Sequence, residues 1–129
     1  MRPGPRNARI RPPAVAGLFY PRDAAELRAA IDEYLNAAPG SQPSPTSKAW
    51  IVPHAGYVYS GPVAAVVYRR VQTQRRSVRR VVVIGPSHRV PLQGMAVPEC
   101  GAFATPLGAV RIDPELKEAV LRCEDVVAS

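Results

Sequence analysis

The sequence predicts an α/β fold with a mixed, largely parallel sheet flanked by helices. Two apolar runs and the helix between them carry that expectation. K48-A-W-I-V-P53 and V81-V-V-I84 are short, continuous and rich in β-branched residues, as buried strands are. Between them, Ser60 can cap a helix that runs to about Val71, with Pro62 in its first turn. Strand, helix, strand in that order is the sequence form of a right-handed βαβ unit with parallel strands.

The other elements follow in chain order. Residues 1–12 read as a flexible basic arm bearing several prolines. P13-A-V-A-G-L-F-Y-P21 is compact and apolar, a strand or a tucked loop. Asp23 lies three residues before Glu26, as at a capped helix start. Leu27, Ile31, Tyr34 and Leu35 then give one apolar face over residues 23–37. The stretch 36–47, with its prolines, glycine and serines, reads as a surface loop. After the second apolar run come a loop at Gly85–Leu92 and strands at Met95–Val97 and Ala109–Ile112. Asp113 caps a last helix, with Pro114 at its first position and Leu116 and Val120 on one face. No closing strand is expected after it.

Length and composition narrow the class. A chain of 129 residues suits one small domain, with 47% hydrophobic and 21% charged residues as in a soluble globular protein. No run approaches the ~18 apolar residues of a membrane span. The amino terminus lacks the apolar core of a signal peptide. Cys100 and Cys123 have no partner at metal-ligand spacing, and two thiols do not make a secreted scaffold. A reduced, cytoplasmic setting is the expectation. The net charge of +7 comes from 15 arginines and only two lysines. Arg69, Arg70, Arg75, Arg76, Arg79 and Arg80 form the densest cluster, a solvated edge or a docking site. No aromatic-rich RNA-binding strand accompanies it, and the expectation is against nucleic acid.

The two histidines hold equivalent places. His54 follows the first apolar run and His88 the second, each in a loop with proline and glycine. If the runs are parallel neighbours, their carboxyl ends bring the imidazoles together, in the crevice where open α/β sheets bind ligands. Two imidazoles with a third donor suit iron, copper or zinc. The plain alternative is a strand-end histidine bonded to a loop carbonyl. Tyr57 and Tyr59 either line that crevice, supplying an acid or a hydrogen bond, or pack. Ser87 lacks a nucleophile elbow and reads as a loop-orienting residue.

Several motifs together resemble the Memo family, whose bacterial and archaeal members are called AmmeMemoRadiSam system protein B. They are P13-A-V-A-G-x-F-Y-P21, P53-H-A-G-Y-x-Y-S-G61, V83-I-G-P-S-H88 and T105-P-L-G-x-V-x-I-D113, in the family's order. The resemblance implies a fold similar to the class III extradiol dioxygenases and a metal-dependent, dioxygenase-like redox activity. It gives metal-ligand roles to His54 and His88 and leaves Tyr57 as a catalytic candidate. Non-haem iron is the implied metal, with copper or zinc as alternatives. The implied partners are a small molecule or peptide in the crevice, and a radical-SAM protein and an AMMECR1-like domain of a shared pathway. The alternative is a non-catalytic binding or adaptor protein of the same fold.

The family's later histidine-bearing blocks and its site cysteine have no counterpart here. The chain therefore resembles the amino-terminal part of a single Memo-type domain. By itself it is expected to be inactive, to bind metal weakly and to self-associate through uncovered apolar surface.

Overall fold

The computed structural model describes residues 9–40 and 47–129. The chain forms two compact units, Ala14–Arg79 in one and Met1–Pro13 with Arg80–Ser129 in the other.

The Ala14–Arg79 unit is a helix pair fronted by a folded loop. In that loop Leu18 and Phe19 N–H both donate to the Val15 carbonyl, and Gly17 N–H donates to Tyr20 O at 2.7 Å. Of the two readings of this segment, the tucked loop is the one formed. Helix α1 spans Ala24–Ala37. Asp23 caps it as expected, its carboxylate accepting from the Ala25 and Glu26 N–H groups. Leu27 is buried, and Ile31, Tyr34 and Leu35 on the same face are half-buried. The loop expected after α1 lies outside the described residues over 41–46.

Helix α2 spans Tyr57–Thr73 and starts earlier than the Ser60 cap predicts. Gly56 is its cap, and Ser60 lies inside the helix, buried. The Ser60 hydroxyl donates back to the Ala55 carbonyl at 2.7 Å. A serine that can satisfy itself on the preceding turn needs no capping position. Pro62 consequently falls in the second turn, where it removes one intrahelical hydrogen bond. The helices meet at Gly61: a Cβ there would come within 2.7 Å of the Tyr34 ring. Ala65 is buried in α2, and Leu27 in α1.

The second unit holds two small sheets and a helix. Ile10–Arg11 form β1, inside the stretch expected to be a flexible arm. Residues 1–8 of that arm lie outside the described residues. β2 is Met95–Val97, β3 Ala102–Thr105 and β4 Gly108–Arg111. β3 pairs in parallel with β1 and antiparallel with β4. The β3–β4 turn is Pro106-Leu107, held by Thr105, whose hydroxyl donates to Gly108 O and accepts from Leu107 N–H. Helix α3 is Pro114–Val120, capped by Asp113 as expected. Beyond it Val126–Ala128 form β5, parallel to β2, so a closing strand exists that the sequence reading did not foresee. Arg80 reaches Asp113 at 2.8 Å and also bonds Glu115, tying the start of this segment to the cap of α3. Those contacts, the Glu115 hydrogen bond foremost, hold the Arg80 guanidinium above its already high pKa.

The predicted central strands are absent. Residues 48–53 and 81–84 form no ladder, Ile51 is 96% exposed and Val83 89% exposed. The observed sheets are small, one mixed with three strands and one a parallel pair, not one largely parallel sheet. A strand of this type is stable only with neighbours on its edges and cover on its faces, and apolar composition alone supplies neither.

Candidate functional site

His54 is exposed, in the Pro53–Gly56 segment that leads into α2. Two contacts fix that segment. The Ser60 hydroxyl holds the Ala55 carbonyl, and Tyr57 N–H donates to Phe19 O at 2.8 Å. A Cβ on Gly56 would lie 3.5 Å from the Phe19 backbone, in ordinary van der Waals contact. The P-H-A-G sequence is thus clamped between a buried serine and the 14–22 loop.

Tyr57 opens the helix three residues beyond His54. Its ring is half-buried and lies 5.6 Å from the Tyr20 ring, tilted by 47°. Burial pushes the Tyr57 phenol above its ordinary value, and nearby Tyr68 and Tyr20 act in the same direction. The neutral hydroxyl is therefore favoured, a group that can donate a hydrogen bond. An open cleft of about 780 Å³ lies here, lined by Phe19, Tyr20, Tyr34 and Tyr57 and by the charged residues Arg22, Asp23 and Glu26. Tyr59 is not among its lining residues and is 82% exposed.

His88 belongs to the other unit. It is exposed in the 85–92 loop, where the Ser87 hydroxyl donates to the Val90 carbonyl at 2.6 Å across the bend. Ser87 therefore orients the loop, as the sequence suggested. His54 and Tyr57 share one unit, and His88 is held by the second.

The four motifs divide into two kinds. Thr105–Asp113 is architectural: a turn-holding hydroxyl, a strand and a helix cap. The 13–21, 53–61 and 83–88 motifs carry the loops with the histidines and the aromatic cleft wall. A family model described as Memo-like protein matches residues 11–129. The chain belongs to the Memo-like family. It is 42% identical over 114 residues to a MEMO1 family protein of Aquifex aeolicus, covering 88% of this chain and 40% of that protein. It is 43% identical over 124 residues to one of Methanothermobacter thermautotrophicus, covering 92% of this chain and 44% of the relative. A third, from Ignicoccus hospitalis, is 42% identical over 126 residues, again with 92% and 44% covered. The Memo-family chain thus spans less than half the length of these relatives.

Two exposed imidazoles are chemically apt donors for iron, copper or zinc. Among the described residues, however, no group of three histidine, cysteine or acidic side chains could hold a metal ion. As a complete metal site these residues do not fit. Both cysteines are free thiols, Cys123 exposed and Cys100 half-buried. No helix among the described residues is long and apolar enough to cross a membrane. The sequence reading missed Phe19, Tyr20 and Tyr34 as walls of the cleft. Phe19 and Tyr20 lie in the P13–P21 motif, which was the available signal; Tyr34 looked like any helix-face aromatic.

Proposed function

We propose that this Memo-family chain supplies two imidazole ligands, His54 and His88, to a metal-dependent redox site, with donors from outside the described residues completing it. What supports the reading is the placement of both histidines in exposed, tethered loops within motifs of a family match over residues 11–129. Non-haem iron, when bound, would supply dioxygen chemistry of the dioxygenase-like kind; copper and zinc are the alternatives. Tyr57, its neutral hydroxyl favoured three residues from His54, is the hydrogen-bond donor toward a substrate in the aromatic cleft.

Equilibrium dialysis of the chain against Fe(II), Cu(II) and Zn(II) tests this without an activity assay. Weak binding is expected, weakened further by more than about tenfold in His54→Ala or His88→Ala. Affinity unchanged in both variants would refute the ligand assignment.

The second reading is a binding or adaptor protein of the same fold, and the cleft between Tyr20, Tyr34 and Tyr57 favours it. A ligand held there equally well with chelator present would select it over the redox reading.

A further inference from the structure

The arginine cluster differs from every other charged region of the chain. No aspartate or glutamate occurs between Glu33 and Glu99, while that stretch carries Lys48, Arg69, Arg70, Arg75, Arg76, Arg79, Arg80 and Arg89. An ordinary solvated surface intersperses both signs. Of the six clustered arginines, Arg80 is engaged by Asp113 and Glu115. Arg69, Arg70, Arg75, Arg76 and Arg79 have no carboxylate partner among the described residues. All five lie in the Ala14–Arg79 unit.

The local backbone gathers these charges. Arg69 and Arg70 sit in the last turns of α2. Gln74 ends the helix, and Ser77 and Val78 N–H both return to its carbonyl. The Thr73 and Ser77 hydroxyls donate to Arg70 O and Gln74 O, so the turn that carries Arg75 and Arg76 is bonded to itself. A helix carboxyl end offers about half a negative charge, which one arginine offsets. Roughly four guanidinium charges remain uncompensated on this argument.

Against the expectation from sequence, we infer that this turn is a binding surface for the phosphodiester backbone of nucleic acid, read without sequence. Guanidinium forks match phosphate geometry in two-point hydrogen bonds, which lysine cannot reproduce. Among the side chains interleaved with the arginines, exposed Gln72 can add an amide donor, while the Thr73 and Ser77 hydroxyls already donate within the turn. No large exposed apolar residue lies from Arg69 to Arg79, so a lipid surface would be held by charge alone. Exposed Tyr68, adjoining Arg69, adds a ring on which an unpaired base can stack. This surface lies outside the histidine loops and does not depend on the metal-site reading.

The test is fluorescence anisotropy of the whole chain with a labelled single-stranded RNA of mixed sequence. Five phosphate contacts predict about a hundredfold loss of affinity between 50 and 200 mM salt. Arg75→Gln, Arg76→Gln and Arg79→Gln combined should reduce the slope of log affinity against log salt by about two. Arg28→Gln, Arg111→Gln and Arg122→Gln combined, outside the turn, are the charge-matched control and should change it far less. Equal losses in both variants would mean only net charge, and would overturn the inference. So would tighter binding to phosphatidylserine vesicles, or equal competition by polyglutamate. Retained far-ultraviolet circular dichroism establishes that each variant is folded.

Discussion

The helix pair of the Ala14–Arg79 unit and the two apolar runs at 48–53 and 81–84 make opposite use of similar material. The helices are interrupted by glycine, proline and charge, yet they bury Leu27, Ala65 and Ser60. The runs are almost purely apolar, yet Ile51, Val83 and Ile84 are 96%, 89% and 78% exposed. The difference lies in where the hydrogen bonds come from. A helix satisfies its backbone within itself, and a capping aspartate completes α1 and α3 from inside the same segment. A strand must borrow partners, and these runs have no ladder partner among the described residues.

Gly94→Ala should give the largest effect, because it attacks a strand pair that did find its partner. Gly94 has a φ of +79°, and a Cβ there would sit 2.3 Å from the Asp125 carbonyl oxygen. Neither the backbone conformation nor the contact tolerates a methyl. A loss on the order of 3 kcal/mol is expected, read as a fall in the denaturant midpoint. A neutral result would mean the β2–β5 pair is no firmer in solution than the exposed runs. Gly61→Ala comes next, in the helices. Helix propensity favours the change by about 1 kcal/mol, but the methyl would lie 2.7 Å from the Tyr34 ring. Overpacking of about 1–3 kcal/mol should win, and Tyr34→Ala should rescue the variant in a double-mutant cycle.

These contrasts explain what could be read from residues alone. Asp23 and Asp113 were legible as caps because the bond each makes spans only two or three residues. The apolar face of α1 was legible for the same local reason. Met95–Val97 was anticipated, but its partner Val126–Ala128 was not, since parallel pairing is a long-range choice that V-V-A does not announce. As candidates, His54, His88 and Tyr57 could be singled out by residue type and motif. The cleft wall could not: it is built where Phe19 O receives Tyr57 N–H, and no spacing rule encodes that contact.

The caps allow a like-for-like check of the local half of the comparison. Asp23→Ala and Asp113→Ala should each cost about 1 kcal/mol in thermal or denaturant melts. Asp113→Ala should cost more, because it also removes the ion pair with Arg80. Equal losses would mean that the exposed Arg80 pair contributes nothing measurable, as many surface pairs do not.

Tyr57 gives a pH signature within the helix unit. Burial raises its folded-state pKa above the unfolded value of about 10. The unfolded chain therefore releases this proton more readily than the folded one. The resulting stability is fully present below pH about 10 and is lost as pH rises through the folded-state value. Tyr57→Phe should lessen the alkaline loss seen in melts between pH 9 and 11, on the order of that range. An unchanged alkaline limb would place the ring in water and dissolve the cleft wall.

The smallest expected effect addresses the runs themselves. Val83→Thr exchanges a methyl for a hydroxyl at nearly constant shape and β-propensity, so its cost reports burial. With Val83 89% exposed, the change should stay within about 0.5 kcal/mol. In a covered strand the same hydroxyl would lack a partner and cost about 1–3 kcal/mol. Sedimentation of Val83→Thr together with Ile51→Thr adds the second readout. If exposed apolar runs drive association, the double variant should be less self-associated than the parent chain at equal concentration. A large destabilisation with unchanged association would mean the runs are covered within the monomer, and the contrast with the helices would disappear.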